Sequence, residues 1–230
     1  GEAMWVPDVL KDDNFPRAKA AAAARLHGAF GVPIRSGRRI MGVMEFFSRE
    51  IRQPDTTLLQ MMADIGIKVG QFIERKRDME RLAKINKCLL GFGKDAHENI
   101  NRLTELCGEL LGSTWAEYCR LDGGQLHAIG RWRTPEGFGP SGQAEGRICA
   151  DVIKQGSNEL MVVRHLSTSP YAQTDPYVLP CQLQTYLGQA VRRSGRYIGS
   201  LCNVYQQDIL PREGDRRLLG IIASAIGVEE

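Results

Sequence analysis

The sequence predicts an α+β protein in which antiparallel strands are flanked by helices and a long helix joins two copies of one motif. Each copy has an apolar strand, a turn with the letters RSGR, a second strand and a leucine-rich helix. Gly37 in the first turn corresponds to Gly195 in the second, a separation typical of domain duplication. Residues 57–90 between the copies contain no proline and carry apolar residues at helical spacing.

The hairpin turns and the helix starts each have a physical reason. Gly37 and Gly195 supply the positive φ that tight hairpins need. Asp55 and Asp215 stand where the following helices begin, so they can cap free N–H groups and oppose the helix dipole. The two hairpins and their helices are therefore predicted from local chemistry alone.

The regions before the two hairpins differ in length. Before the second hairpin the sequence predicts a helix over 99–111, strands over 115–121 and 125–134, a short helix over 148–155 and a strand over 160–166. Before the first there are only a short strand near residues 4–7 and an alanine-rich helix near 16–26. The first copy is therefore expected to be the C-terminal half of a domain, truncated at its N-terminus.

The long helix carries an apolar seam that is suited to pairing with another helix. Apolar residues recur at steps of three and four along it, or at multiples of these. A seam of this kind packs either on its own domains or on a second chain, and we predict a homodimer. The dimer helix residues are Ile65, Val69, Phe72, Met79 and Ala83.

Composition excludes several classes of protein. Thirty Lys and Arg against 27 Asp and Glu give a net charge of +3, which is too small and dispersed to indicate nucleic-acid binding. No apolar run approaches the length of a membrane span, so no membrane contact is expected. The six cysteines form no CxxC pair and no zinc-ligand spacing, which favours reduced thiols in a cytoplasmic protein and no metal site.

Several longer runs carry a family resemblance. In the first copy these are residues 5–9, 15–18, 31–34, 42–47 and 70–76, and in the second 98–103, 171–176 and 220–226. In this order they resemble tandem GAF domains, the small-molecule and partner-binding modules of bacterial signalling proteins. The first copy is similar to GAF domains of sensor histidine kinases and PAS/GAF proteins in two-component systems, and the second is similar to another GAF subtype.

The resemblance implies a fold and a division of the chain. It implies an antiparallel sheet of about six strands, with helices from both chain ends on one face and a ligand cavity on the other. Residues 1–75 would be the half GAF domain, 76–96 a helical linker continuous with the preceding helix, and 97–230 a complete GAF domain. The half domain would lack its first two strands and so leave an unpaired sheet edge.

The resemblance also implies a regulatory role rather than catalysis. The chain would bind an unidentified small molecule or partner and relay the signal through dimeric helices to a downstream kinase or cyclase domain of the same protein. Tyr118 and Cys119 lie on opposite faces of one strand, so only one of them faces the cavity. The cofactor is left unassigned. The candidate ligand-binding residues are Tyr118, Ile148, Cys149, Tyr171, Tyr186 and Cys202.

Two alternatives to ligand sensing remain open. One is a ligand-free dimerisation spacer. The other is a thiol-dependent redox sensor or a methionine sulfoxide reductase, because Cys119 and Cys202 lie on strands that are neighbours in GAF domains and Cys149 lies on the cavity-side helix. Residues 147–151 only loosely resemble the His-Ile-x-Cys-Asp block of free methionine sulfoxide reductases, and the other cysteine spacings differ.

Other GAF chemistries lack their residues. Cys181 is followed by Gln182 rather than by the histidine that accompanies a covalent bilin. The NKFDE pattern of cyclic-nucleotide binders is absent, and the four histidines are too scattered for haem or iron.

Overall fold

A computed structural model of the chain describes residues 1–137 and 139–230. The chain divides into two compact units, unit 1 (Gly1–Glu80) and unit 2 (Arg81–Glu230). Each unit is described by itself. One long helix, α2 (Thr56–Leu90), contributes residues to both.

Unit 1 is built on a three-stranded antiparallel sheet. The strands are β1 (Met4–Val6), β2 (Gly28–Ser36) and β3 (Arg39–Ser48), in the order β1-β2-β3, and α1 (Ala18–Ala23) lies between β1 and β2 in sequence. The predicted turn is present, with Gly37 at φ 56°. Gly70 lets α2 approach the sheet, since a Cβ there would lie 2.2 Å from the carbonyl oxygen of Arg35.

The long helix begins as the sequence predicts. The Leu58 N–H donates to Asp55 Oδ1 at 2.9 Å, which satisfies one of the free donors of the first turn. The helix ends at Leu90, so the predicted linker of residues 76–96 is helical only to that point. Glycines at 91 and 93 interrupt it, and Asp95 then caps α3 (Ala96–Leu111) by accepting from the N–H groups of residues 97 and 98.

Unit 2 is a six-stranded antiparallel sheet flanked by helices. Its strand order is β6-β5-β4-β9-β8-β7, so β4 and β9, which are distant in sequence, are central neighbours. Ser194 and Gly195 both have positive φ at the predicted hairpin turn, 46° and 86°. The elements are β4 (Trp115–Asp122), β5 (Gln125–Trp132), β6 (Ser141–Gln143), α4 (Ile148–Gln155), β7 (Met161–Arg164), α5 (Tyr171–Thr174), β8 (Thr185–Arg193), β9 (Arg196–Tyr205) and α6 (Glu213–Glu229).

The sheet of unit 2 has two covered faces. Helices α3 and α6 pack on the first, here called the helix face, and the start of unit 2 at the end of α2 adds Ile85 to the same apolar core. Helix α4 and the segments around α5 cover the second face. Because both faces are covered, Trp115–Cys119 of β4 are buried without interruption. Candidate site residues therefore divide between two interiors.

Candidate functional site

The three central strands place a polar cluster on the face covered by α4. Glu117 and Cys119 of β4 point to this face because alternate residues of a strand share a side. Across the sheet Glu117 pairs with Cys202 of β9, and Cys119 pairs with Ser200. With Cys149 of α4 and Tyr186 of β8, these residues form what we call the thiol site.

Cys149 lies at the centre of the thiol site. It is the second residue of α4 and is half-buried, whereas Cys119 and Cys202 are buried. Cys149 packs against both buried clusters that contain Cys119 and Cys202, and hydrogen-bond interactions with these two thiols lower its pKa. Tyr186 Oη donates a hydrogen bond to the Cys149 sulfur at 3.3 Å. Two cysteines and one tyrosine that are far apart in sequence therefore lie around the Cys149 sulfur.

The electrostatic environment favours a thiolate at Cys149. The hydrogen bond from Cys119, followed by those from Cys202 and Tyr186, holds the pKa of Cys149 well below its usual value. Arg147 adds a favourable positive charge, and the helix dipole at the start of α4 acts in the same direction. The same interactions raise the pKa values of Cys119 and Cys202, so ionisation is concentrated on one sulfur.

Tyr186 reaches the thiol site by lying over a glycine. Its ring passes so close to Gly188 that a Cβ there would lie 2.4 Å from a ring carbon. Its hydroxyl also lies 3.2 Å from Ser200 Oγ. Gly188 pairs with Cys202 in the sheet. Because Gly188 has no side chain, the Tyr186 ring can lie over this position.

Glu117 is a buried carboxyl with unused hydrogen-bonding capacity. It is 3% exposed, and its Oε1 has no hydrogen-bond partner among the described residues. Burial and then the Cys149 charge raise its pKa to about 8, against the opposing effects of Arg131 and of a hydrogen bond with Cys119. A buried polar atom without a partner is rare in a folded protein and is a candidate ligand contact.

The region around α4 is fixed by two further acids. The Ile148 N–H donates to Asp175 Oδ2 at 3.3 Å, which ties the start of α4 to the segment after α5. Tyr171 Oη donates to Asp151 Oδ2 at 2.9 Å, which ties α5 to the first turn of α4. Burial raises the pKa of Asp175, and the Cys149 charge adds to that shift. These bonds set the position of Cys149.

Five of the six predicted ligand-binding residues lie on the α4-covered side, and Tyr118 does not. Cys149, Tyr186 and Cys202 belong to the thiol site itself, while Ile148 and Tyr171 pack beside it. Tyr118 packs in the core of the helix face. Its ring lies over Gly199, where a Cβ would be 2.5 Å from a ring carbon.

Tyr118 instead holds the end of α6. Its hydroxyl donates to Glu230 Oε1 at 2.8 Å, and Arg120, two residues further along β4, pairs with Glu230 Oε2 at 2.9 Å. The Glu230 side chain is only 2% exposed. Burial, followed by the Glu230 charge, raises the pKa of Tyr118 well above its usual range, so its hydroxyl remains a donor.

The predicted ligand-binding residues omit Glu117, Cys119 and Ser200, although Cys119 was named in the thiol alternative. Ser200 shares a strand face with the predicted Cys202, and Glu117 shares one with Cys119, whereas the predicted residue of β4, Tyr118, lies on the opposite face. Alternation from Cys119 and Cys202 could therefore have identified Glu117 and Ser200. The covering of that face by α4 depends on contacts distant in sequence.

A concavity lies between the end of α2 and α3. It has a volume of about 450 Å³ and is lined by both basic and acidic side chains. Two of its charges already pair, since Lys84 Nζ lies 2.5 Å from Glu109 Oε1. In the described part of the chain no group of three or more His, Cys, Asp or Glu residues is arranged to hold a metal ion. Searched over the same residues, the chain has no helix that is long and apolar enough to cross a membrane.

Comparison with known proteins gives the fold. No protein-family model matches the sequence, and no curated protein matches it. Among solved structures, the GAF domain of a phosphoenolpyruvate-protein phosphotransferase from Coxiella burnetii is 12% identical, with a TM-score of 0.57 over 66% of this chain and 93% of that chain. The corresponding Acinetobacter domain is 11% identical, with a TM-score of 0.54 over 65% and 92%.

An enzyme of the same fold is also similar. Free methionine-R-sulfoxide reductase from Neisseria meningitidis, solved with its substrate, is 16% identical, with a TM-score of 0.51 over 61% of this chain and 81% of that chain. At these identities the comparisons establish a GAF-like fold, as predicted, and leave function to be argued from the site.

Proposed function

We propose that this chain is the sensory and regulatory part of a signalling protein, and that the thiol site receives the signal. Its GAF domain would bind a small molecule against Glu117 and the thiols, and would relay that event through helices to an output domain of the same protein, a kinase or a cyclase. The chain itself would regulate and not catalyse.

The observation that carries this proposal is that β4 contacts the thiol site on one face and the end of α6 on the other. Glu117 and Cys119 face the thiol site, while Tyr118 and Arg120 face the other way and hold Glu230 at the end of α6. A change in the position or twist of β4 at the thiol site would therefore act directly on α6. A ligand shifts such an equilibrium only if it binds one arrangement of the strand better than the other.

The chemistry of the site limits the ligand. The Glu117 Oε1 atom calls for an N–H or O–H group, and an amine or amide supplies one without displacing the Cys119 contact. Trp115 and the half-buried Tyr171 belong to the same apolar cluster and suit an apolar or aromatic portion. We therefore propose a small molecule that combines an N–H donor with an apolar body.

Helix α2, through which the chain enters unit 2, also contacts α6 within that unit. Arg81 Nη2 pairs with Asp215 Oδ1 at 2.8 Å, and both side chains are less than one quarter exposed. This pair fixes the first turn of α6 to the last part of α2, while Glu230 fixes its other end. Movement of α6 thus has a defined route to α2.

We propose that α2 pairs with a second copy of itself. Of the predicted seam, Phe72 is 66% exposed and Met79 is 64% exposed. Ile65 and Ala83 are also exposed, and Val69 is half-buried. Large apolar side chains at helical spacing that one chain leaves in water favour a helix pair between two chains. Replacing both Phe72 and Met79 with Glu should convert a dimer into a monomer.

Native mass spectrometry of the purified chain, at two concentrations, tests both parts. We expect a dimer with a reproducible additional mass, and we expect Glu117→Gln to lose that mass while the control Glu98→Gln, on the exposed side of α3, retains it. A dimer without additional mass would contradict the ligand and favour a spacer. A monomer at both concentrations would contradict the paired helices.

A further inference from the structure

The geometry points to a defined alignment for the helix pair: we propose that α2 packs against α2 of a second copy of this chain in parallel and in register, with the two Asn86 side chains in contact. This inference rests on the dimer of the proposed function. It goes beyond that dimer because it names the surface that pairs, its orientation and the residue that fixes its register. The surface is a stripe of exposed side chains along α2, here called the heptad stripe.

The heptad stripe follows the spacing of a coiled coil. Its members recur at alternating steps of four and three residues from 61 to 89, without a break. A strict seven-residue repeat over about four heptads is typical of helices that supercoil around each other. Every member is exposed in the single chain. The six apolar members are 38–66% exposed, and they are Met61, Ile65, Phe72, Met79, Leu82 and Leu89.

The heptad stripe refines the seam that the sequence predicts. Ile65, Phe72 and Met79 belong to both. Val69 and Ala83 instead stand one position beside the stripe, and in a helix pair such positions flank the core rather than fill it. The stripe also extends the seam at both ends, to residues 61 and 89.

The heptad stripe is separate from the side of α2 that packs on the chain itself. In unit 1, Gly66 and Gly70 lie against β2, where a Cβ on either glycine would collide with a backbone carbonyl oxygen. In unit 2, Ile85 is 5% exposed and belongs to the core of the helix face. Successive residues of a helix are about 100° apart, so these residues and the stripe lie on different sides of α2.

A second copy of α2 is the partner that matches the stripe in length. From residue 61 to residue 89 the stripe is about 42 Å long at 1.5 Å per residue. In the described part of the chain, α3 has 16 residues and α6 has 17, so neither is long enough to cover it. Two copies of α2 packed along the stripe would bury on the order of 800 Å² per chain, the size of a standard stable interface.

Asn86 selects the parallel, in-register arrangement. In such a pair each position meets its own copy, so the amide of one Asn86 can donate to the carbonyl oxygen of the other. Leucines 82 and 89 stand on either side of it, and one asparagine at a core position fixes register in two-stranded coiled coils. A shift of one heptad would place an Asn86 against Met79 and leave its amide without a partner.

Two basic members make the middle of the pair weaker than its ends. In register, Lys68 and Arg75 each meet their own copy, and like charges repel. Asp64 stands four residues before the first and Asp78 three residues after the second, a spacing at which side chains of one helix can pair. The apolar members and Asn86 therefore carry most of the association.

Disulfide cross-linking of the full chain tests the orientation. Ile65→Cys and Leu89→Cys each place one thiol near an end of the stripe, and each variant is oxidised mildly beside the wild-type chain, whose native thiols give the background. We expect each variant to link to its own copy, and a mixture of the two to form no link between residues 65 and 89. Peptide mapping without reductant assigns the links. The control Glu80→Cys, exposed on α2 outside the stripe, should stay at the wild-type level.

A second variant tests Asn86 itself. Asn86→Ile should lower the dissociation constant of the dimer by about tenfold in sedimentation, because a polar core position costs stability. It should also relax the register, so that Ile65→Cys and Phe72→Cys chains that carry it link across one heptad when mixed. The control Glu80→Ile adds the same side chain outside the stripe and should leave the dissociation constant unchanged.

The alignment and the dimer fail separately. A dimer in which residues 65 and 89 link only to each other would show antiparallel helices, and one in which neither residue links would place the interface elsewhere. Asn86→Ile chains that dimerise no more tightly than wild type would remove Asn86 from the interface. Each of these results overturns the alignment while the proposed dimer stands, whereas a monomer at every concentration overturns both.

Discussion

The two faces of the unit 2 sheet differ in how their buried polar groups are paired. The helix face encloses a mostly apolar core, in which the Tyr118 hydroxyl and the Glu230 carboxylate satisfy each other. The α4-covered face encloses three thiols and a carboxyl group, one of whose oxygens has no partner among the described residues. Buried polar groups that are fully satisfied stabilise a fold, whereas one left open marks a place where stability has been given up. We therefore assign a structural role to the helix face and a functional role to the α4-covered face.

The largest expected difference between the faces is the pH dependence that Glu117 confers. Its pKa of about 8 in the folded protein exceeds the usual 4.5, so the native state binds more protons than the unfolded state between these values. The contribution of Glu117 to stability is therefore fully present below pH 4.5 and falls as pH rises toward 8, by about 3 kcal/mol from pH 5 to pH 8. Glu117→Gln should remove this loss.

The measurement is urea unfolding of unit 2 at pH 5, 6.5 and 8, followed by pulsed alkylation of Cys107. That thiol is fully buried in the helix-face core and reports unfolding without belonging to the thiol site. Arg131, Arg147, Cys119 and Cys149 also act on Glu117, so the result is the difference between wild type and variant. Parallel pH profiles for the two proteins would show that Glu117 is not buried as described.

A pair of glycine substitutions gives the next largest effect. Gly199→Ala places a Cβ 2.7 Å from the carbonyl oxygen of Cys119 as well as against the Tyr118 ring, and the backbone cannot yield. Gly188→Ala meets only the Tyr186 side chain among its three nearest atoms. We expect Gly199→Ala to cost about 3 kcal/mol of unfolding free energy and Gly188→Ala about 1–2 kcal/mol. The same alkylation assay compares them, and a larger cost at Gly188 than at Gly199 would contradict the close backbone contact at Gly199.

A pair of tyrosine hydroxyls separates the interior of the thiol site from its margin. Tyr186→Phe removes a buried hydroxyl from Cys149 and Ser200 and should cost about 1–2 kcal/mol. Tyr171→Phe removes a half-exposed hydroxyl from Asp151 and should cost about 0.5 kcal/mol. Tyr186→Phe should also slow alkylation of Cys149 less at high pH than at low pH, because it removes a donor that stabilises the thiolate. Equal costs for the two variants would contradict a buried network.

Local patterns predicted most of the fold and only part of the site. The short helix over 148–155 has the predicted bounds, and both hairpin glycines have the positive φ expected of them. The position of Cys119 and Cys202 on neighbouring strands followed from the strand order of GAF domains. These features depend on residues close in sequence or on a known order of strands.

The remaining features depend on contacts that a sequence pattern does not contain. Glu117 lies in the middle of a strand, where a carboxylate ordinarily marks a solvent-facing position, and only the covering of both faces buries it. Tyr118 was predicted as a ligand contact, but alternation places it opposite Cys119, and its partner Glu230 is more than one hundred residues away. The helical linker was predicted to run to residue 96, but glycines at 91 and 93 end it earlier.

The central claim is that the thiol site and the end of α6 are coupled through β4. Hydrogen exchange of the peptide covering residues 224–230 tests it most directly, with Cys149→Val as the perturbation. Cys149 lies on α4, and this substitution removes its hydrogen-bond interactions without a large change in side-chain volume. Cys181→Val, on the loop after α5, is the control. We predict faster exchange at residues 224–230 in Cys149→Val and none of this change in Cys181→Val. Identical exchange in all three proteins would contradict the coupling.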